Sequence, residues 1–166
     1  MSVDPGDVFV PEDAIEVVVR GILRDGWDED RTSGEEPVIR HGWVNRTGKS
    51  PEVTISNPEE SPLADGSTGF SGINQHGHPT QEIDGSVTVN VWADRDRTDE
   101  NPRKLVFEMK NEVQRIVIAN ALVPTSDDFS HISYMGGRRM PPEVDEKPPM
   151  WRWEILVGYG YGPAQS

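Results

Sequence analysis

Two histidines and two carboxylates of metal-binding type lie close together in the middle of the sequence. His76 and His78 flank a glycine, and Glu82 and Asp84 follow shortly after them. Imidazole and carboxylate groups are zinc ligands, but zinc sites take their ligands from ordered elements whose neighbours orient each ligand. This segment is rich in glycine and has no third histidine nearby. We therefore expect a solvated loop and no metal, with ligation by His76 and His78 as the alternative.

Two other patterns resemble ligand-binding loops but lack an essential residue. Asp94, Asp96 and Asp99 resemble a calcium loop, but Asp99 occupies the sixth position, where an EF-hand requires glycine. Residues 47–50 read Thr-Gly-Lys-Ser, as in a phosphate-binding loop, but Trp43 stands where that motif requires its first glycine. The chain has no cysteine and neither of the glycine-rich hydrolase and dinucleotide-binding motifs. By elimination we expect no enzyme activity and no cofactor.

The charge of the chain is strongly acidic. Its 29 acidic residues outnumber 16 basic ones, of which four are lysine, and the formal net charge is −13. Such a charge repels the compact state at low salt, whereas molar salt shortens the screening length to roughly 3 Å. We interpret the acidic, lysine-poor composition as adaptation to a salty cytoplasm, with an ordinary acidic protein as the alternative. The acidity argues against sequence-independent DNA binding, which requires a basic surface.

The length and the periodic segments predict one domain over residues 1–166. No apolar stretch approaches the roughly 20 residues of a membrane span, and residues 1–7 do not resemble a signal peptide. We expect a flexible arm over 1–9, a long loop over 57–80 and a loose tail over 162–166. The predicted elements are a helix over 11–25, strands over 38–46, 52–56 and 85–93, a helix over 102–120, and strands over 132–135 and 151–161.

This order predicts an α+β fold. We expect a mostly antiparallel sheet, in the order α-β-β-β-α-β-β, with two helices packed on one face and long loops elsewhere. Pro11 is predicted to open the first helix, and Asn101 to cap the second. The buried stripes are predicted to be Ile15, Val18, Val19 and Ile22 in the first helix, and Leu105, Met109, Val113, Ile116 and Val117 in the second.

Several residues are candidates for contact with a partner. Arg138 and Arg139 form the one adjacent pair of arginines, in a polar excursion predicted over 136–149, and arginine is enriched at interfaces. A solvent-exposed hairpin tip is the alternative. Trp92 lies opposite the valines of its strand, so one sheet face could be aromatic and open to a partner. The long loop adds three candidates: Phe70, His76 and His78.

The order of elements resembles that of the tail-terminator or tail-completion proteins of long-tailed viruses. The resemblance covers about residues 10–162 and includes the run Met-Trp-Arg-Trp-Glu-Ile at 150–155 after a proline-rich loop. It is architectural, since that family has no short diagnostic motif, and it implies no catalytic residue. With the acidic composition, it implies a virus of a haloarchaeon.

The resemblance implies a structural virion protein that assembles in the host cytoplasm as a hexameric ring. Such a ring joins the tail-tube protein on one side to a head-closure or adaptor protein of the capsid neck on the other. DNA passes through its lumen without specific binding, and no membrane is involved. The alternatives are a head-closure, adaptor or tail-tube ring protein of the same virion, or a halophilic host enzyme or metal-binding protein using His76 and His78.

Overall fold

The computed structural model describes eight segments of the chain: residues 11–42, 51–62, 72–73, 79–80, 83–94, 101–121, 129–141 and 150–161. Their elements, in chain order, are α1 (Ile15–Gly26), a short 3₁₀ helix (Glu29–Thr32), β1 (Val38–His41), β2 (Glu52–Pro62), β3 (Gly72–Ile73), β4 (Pro79–Thr80), β5 (Ile83–Asp94), α2 (Pro102–Ala119), β6 (His131–Arg139) and β7 (Met150–Tyr161).

Five of the strands form one sheet in the order β1-β2-β5-β7-β6, and β3 and β4 pair separately. All neighbours in the large sheet are antiparallel except β1 and β2, which run parallel. The parallel pairing is visible in the backbone, where Val38 N–H donates to the Pro51 carbonyl and Gly42 N–H to the Ile55 carbonyl. The predicted α+β class and mostly antiparallel sheet are therefore confirmed.

Both helices pack on one face of this sheet, as predicted. Every residue of the two predicted helical stripes is buried, and these side chains join the inward-facing strand residues in a single core cluster. The central strands contribute alternate positions to this core, among them Val87, Val89 and Val91 of β5. Burying such side chains contributes about 1.5–3 kcal/mol each, so this one face supplies most of the hydrophobic stabilisation. Within the described segments, neither helix is long and apolar enough to cross a membrane.

The two helix starts differ in how well the sequence predicts them. Asn101 caps α2 as predicted, because its side chain accepts hydrogen bonds from the N–H groups of Arg103 and Lys104. The prediction that Pro11 opens α1 is wrong. That helix begins four residues later, after Ala14, whose side chain cannot cap it. The prediction failed because proline is favoured at the start of a helix but does not by itself make the chain helical.

Two strands continue beyond the points where the sequence predicts that they end. β2 runs to Pro62, into the predicted 57–80 loop, because a bulge at Asn57 lets the strand continue. Asn57 has φ 53°, a left-handed conformation that asparagine tolerates. β6 runs to Arg139 because Gly136, at φ 115°, forms a bulge between Tyr134 and Gly137. Residues that resemble turns in the sequence are thus bulges inside strands. The arm over 1–9 and the tail over 162–166 lie outside the described residues.

A charged contact links α2 to the end of α1. Glu112 of α2 is 1 % exposed, and its Oε1 accepts hydrogen bonds from Arg115 Nε at 2.9 Å and from Arg115 Nη2. The same Nη2 donates to the Gly26 carbonyl at 2.8 Å, at the end of α1. Arg115 therefore neutralises a buried carboxylate and ties α2 to α1.

Replacing Arg115 with methionine should destabilise the fold by about 2–3 kcal/mol, because the Glu112 carboxylate stays buried without its cation. Arg115 is 39 % exposed, which keeps the cost below that of a fully buried pair. Urea unfolding in molar KCl measures the change. The double variant Glu112→Gln with Arg115→Met is the control and should recover part of the loss. Equal stability of Arg115→Met and the natural chain would contradict this account.

Candidate functional site

The loop candidates cannot be placed, since Phe70, His76, His78 and Glu82 lie outside the described residues. Of that group the structure describes Asp84, whose carboxylate lies 4.0 Å from His131 Nε2, with both side chains about half exposed. In the described segments no three histidine, aspartate or glutamate residues come together as a metal site.

Arg138 and Arg139 point to opposite faces of the sheet. They lie in strand β6, not at a hairpin tip, and neighbouring residues of a strand alternate. Arg138 pairs across the sheet with Glu154, and its Nη2 lies 3.3 Å from that carboxylate. Arg139 pairs with Trp153 on the helix side. The two arginines therefore cannot act together on one carboxylate, and each belongs to a different surface.

Trp92 is buried rather than open to a partner. It is 0 % exposed, its indole N–H donates to Thr54 Oγ1 at 2.9 Å, and the Arg152 guanidinium lies 4.9 Å from its ring centre. The prediction of an aromatic surface at Trp92 is wrong because the neighbouring strands supply a hydroxyl and a cation that hold this ring in place. Trp92 stabilises the sheet from the side opposite the helices.

The contacts of Trp92 belong to a wider polar band across that side of the sheet. Each of the five strands contributes at least one member, and the band comprises Arg40, Glu52, Thr54, Asn90, Trp92, Arg138, Arg152 and Glu154. Arg40 lies 3.2 Å from Glu52, and Arg152 donates to Asn90 at 3.2 Å and lies 3.8 Å from Glu154. Because its members are engaged with one another, the band holds the strands in register.

The helix side of the sheet carries an aromatic cluster at the β6 edge, formed by Phe107, Tyr134, Trp151 and Trp153. The rings of Phe107 and Trp153 are 6.1 Å apart. Lys110 Nζ lies 5.4 Å from Trp153 and within 5.8 Å of the other two neighbouring rings. Arg103 lies 5.2 Å above Trp151. These separations are in the range of favourable cation–π contacts.

This aromatic cluster is open to solvent and locally basic. Phe107 is 47 % exposed, and both tryptophans are only partly buried. Arg139 faces the same side as Trp153 and is exposed. Aromatic residues and arginine are the types enriched where proteins bind one another. In a chain of net charge −13, the cluster is therefore a candidate interaction surface for an acidic partner.

This cluster was not predicted from the sequence, although a signal was present. Arg103, Phe107 and Lys110 are spaced i, i+4 and i+7 in α2, so they form a second stripe beside the buried one. Trp151 and Trp153 share a face of β7 because they are two residues apart. Matching the helical stripe to the tryptophan pair required the three-dimensional position of α2 over β7.

A tyrosine pocket of about 420 Å³ lies at the other end of β7, beside the first turn of α1. Glu60, Phe129, Tyr159 and Tyr161 form its core. The hydroxyl of Tyr161 donates to Glu60 Oε1 at 2.9 Å, and that of Tyr159 donates to Oε2 at 3.1 Å. Phe129 stands edge-on to both tyrosines, with ring centres 5.6 and 5.8 Å away.

Gly85 makes room for this pocket. It pairs with Tyr159 across the sheet, and a Cβ at position 85 would lie 2.5 Å from the tyrosine ring. The missing side chain lets the ring lie across β5 and reach Glu60 on β2. The pocket was not predicted from the sequence, although Tyr159 and Tyr161 have the spacing of residues on one face of a strand.

Both phenols are shifted toward their neutral form. Burial is the largest cause of the rise in the pKa of Tyr159, and the hydrogen bond to Glu60 raises it further. The same two causes, in the same order, raise the pKa of Tyr161 to about 12. The tyrosines therefore remain hydrogen-bond donors to Glu60 at any physiological pH.

No protein-family model matches this sequence, and no curated protein matches it.

The raised pKa of Tyr161 predicts a stability change at high pH. The phenol of Tyr161 holds its proton more tightly in the folded chain than in the unfolded chain, where its pKa is about 10. Its contribution to stability is complete below pH 10 and is lost as the pH rises toward about 12. Urea unfolding across this window should show a smaller loss for Tyr161→Phe than for the natural chain. An equal loss of stability in the two proteins would contradict this account of Tyr161.

Proposed function

We propose that the protein is a ring-forming structural subunit of the neck of a long-tailed virus, of the tail-terminator or tail-completion type. The ring would join the tail-tube protein to a head-closure or adaptor protein. Its support begins with the architecture, since a one-sided α+β sheet with this order of elements is what the resemblance to that family implies. No catalytic or cofactor role is part of the proposal.

The observation that carries the proposal is the aromatic cluster beside an edge strand. β6 is the last strand of the sheet, and its outer side pairs with no strand that the structure describes. The cluster, with Arg139, Lys110 and Arg103, offers aromatic area and positive charge at that edge. Each copy of the chain carries 29 acidic residues, so an acidic patch on a second copy is a partner of complementary charge for this basic cluster.

The proposal also gives a role to the acidic residues on the rest of the surface. A ring of copies, each of charge −13, would present acidic walls to DNA passing through its lumen. Such walls bind no phosphate, which lets the DNA slide. The acidity also suits the molar-salt cytoplasm of a haloarchaeal host.

Related ring proteins of the same virion remain as alternatives within the proposal. A head-closure, adaptor or tail-tube subunit would use the same kind of edge contact but a different neighbour. Incubating the assembled ring separately with purified tail tubes and with purified capsids separates these roles. Binding to tube ends is the outcome for a terminator, and binding to the capsid alone assigns the ring to the head.

Replacing Arg139 with glutamate should weaken self-association by roughly thirtyfold, equivalent to about 2 kcal/mol at each interface, because it reverses a charge beside the aromatic cluster. Arg138→Glu is the matched control. It makes the same charge change one residue away on the opposite face, and it should weaken association much less than Arg139→Glu, although it breaks the contact with Glu154 and lowers the stability of the subunit. Native mass by light scattering in molar KCl, with the peak imaged by electron microscopy, measures both variants. Equal effects of the two substitutions would show that the helix-side face is not the interface.

The assembly should depend on salt. In molar KCl we expect rings of six subunits, which dissociate in dilute buffer as repulsion between the acidic copies grows. Light scattering over a series of KCl concentrations checks this, with circular dichroism as the control that each subunit stays folded. A monomer in molar KCl that also fails to bind tail tubes would contradict the proposed function. A ring equally stable at low salt would contradict only the explanation of the acidity.

A further inference from the structure

The outer edge of β6 is open over its second half. Met140 N–H, directly after the strand, donates to the Arg152 carbonyl of β7 at 2.9 Å. Successive N–H groups of a strand point to opposite sides, so those of Gly137 and Arg139 point away from β7. Both residues are exposed, and no strand that the structure describes pairs with them on that side. This edge therefore offers backbone hydrogen-bonding groups to an added strand.

The opposite edge of the sheet is protected from such pairing. In β1 the Ile39 carbonyl already accepts a hydrogen bond from Arg24 Nη2 at 2.8 Å. The part of β2 that extends beyond β1 contains Pro58 and Pro62, which have no N–H to donate. β6 has only the bulge at Gly136, which interrupts the ladder but removes no N–H group. Of the described edges, β6 is thus the one suited to strand addition.

The side chains along this edge are basic on both faces of the sheet. Arg138, 70 % exposed, lies on the side of the polar band, and Arg139 lies on the helix side, where Lys110 stands near Trp153. Glu154 offsets part of the charge of Arg138. Guanidinium groups bind carboxylates through strong, charge-assisted hydrogen bonds. A strand that adds here is therefore favoured when it carries acidic residues on both of its faces.

Within the described segments, the sheet of a second copy offers no matching strand. Its β1 and β2 edges are protected in the same way, and its β6 would bring two more arginines and a second bulge to the contact. Like charges that face each other across an interface weaken it. A second copy can still meet the aromatic cluster through its side chains. The strand that fits the edge of β6 therefore belongs to a different protein.

We propose that β6 binds an extended acidic segment of a different protein, which joins the sheet as a sixth strand. Two adjacent carboxylates of the segment face opposite sides of the sheet, so one reaches Arg138 and the other reaches Arg139. An apolar residue two positions from the carboxylate at Arg139 lies on the helix side, within reach of the Tyr134 ring. The site goes beyond the proposed ring contact, because it uses the backbone of β6 as well as side chains.

The probe is the capped peptide acetyl-Thr-Glu-Glu-Val-Thr-Val-Thr-amide, titrated into the full chain by calorimetry. Salt of about 0.15 M gives a screening length of about 8 Å, which preserves contacts at the edge and screens the acidic charge elsewhere. The same peptide with glutamine in place of both glutamates is the control for charge, and it should bind about tenfold more weakly. No binding of the acidic peptide, or equal binding of the two peptides, would overturn the proposal.

Two N-methylated forms of the acidic peptide test the strand geometry. One is methylated at its even-numbered residues and the other at its odd-numbered ones. Only one of the two sets of N–H groups faces β6 in an added strand. One form should therefore lose binding, and the other should keep it. Equal binding of the two forms would show that the peptide does not pair with β6 as a strand.

Two substitutions at Arg139 separate the backbone from the charge. Arg139→Ala and Arg139→Pro both remove the guanidinium, but only proline removes the N–H that points away from β7, at an edge position where proline is tolerated. We expect alanine to weaken peptide binding about tenfold and proline about tenfold further. Circular dichroism checks that both variants fold, and the N-methylated peptides give the same information if the proline variant does not. Equal binding by two folded variants would contradict strand addition.

Native mass in molar KCl tests which protein occupies the edge. An excess of the acidic peptide should leave the mass of the ring unchanged. Dissociation of the ring by the peptide would show that a second copy occupies the edge of β6, and would overturn the proposal. A chain that is monomeric in molar KCl would count against the proposed function alone, because peptide binding is measured on the single subunit.

Discussion

The alternation of side chains along β7 is the constraint on which the rest of the structure depends. The odd-numbered positions of this strand, from Trp151 to Tyr161, face the helices, and the even-numbered ones face the polar band. On the helix side the strand contributes first to the aromatic cluster, then to the core through Ile155 and Val157, and last to the tyrosine pocket. A shift of one residue in its pairing would exchange the two faces and remove all three features together. Pairing with β5 over twelve positions and with β6 on the other side prevents such a shift.

The polar band explains how a sheet with helices on only one side keeps its second face in order. Trp92 is fully buried between a threonine hydroxyl and an arginine, so its large ring is ordered without a helix above it. Buried polar groups are costly unless they are hydrogen-bonded. Arg152 donates to Asn90 across β7 and β5, and Arg138 donates to Glu154 across β6 and β7. The same contacts specify the register, because a slipped strand would separate them.

The sequence predicted the elements whose signals are local and missed the features that depend on pairing. The cap at Asn101, the stripe of α2 and the strand predicted over 151–161 depend on local patterns, and all are present. The bulges at Asn57 and Gly136 look like turns in the sequence, because the same residue types serve both purposes. The opposite directions of Arg138 and Arg139 follow only once Gly136 is known to lie inside a strand. Neither the aromatic cluster nor the tyrosine pocket was predicted, since each combines residues from distant parts of the chain.

The two surfaces on the helix side have complementary chemistry, and their separation bears on how copies could assemble. Trp153 and Tyr159 are six residues apart in one strand, a distance of roughly 20 Å. One end presents cations over aromatic rings, and the other presents carboxylates around aromatic rings. A closed ring requires a head-to-tail interface, in which two different patches of each copy meet. A twofold dimer could also place the cations of each copy against the carboxylates of the other, because residue i meets residue j and j meets i across such an axis. The charge pattern of β7 and its neighbours therefore favours contact between unlike patches of two copies in either geometry.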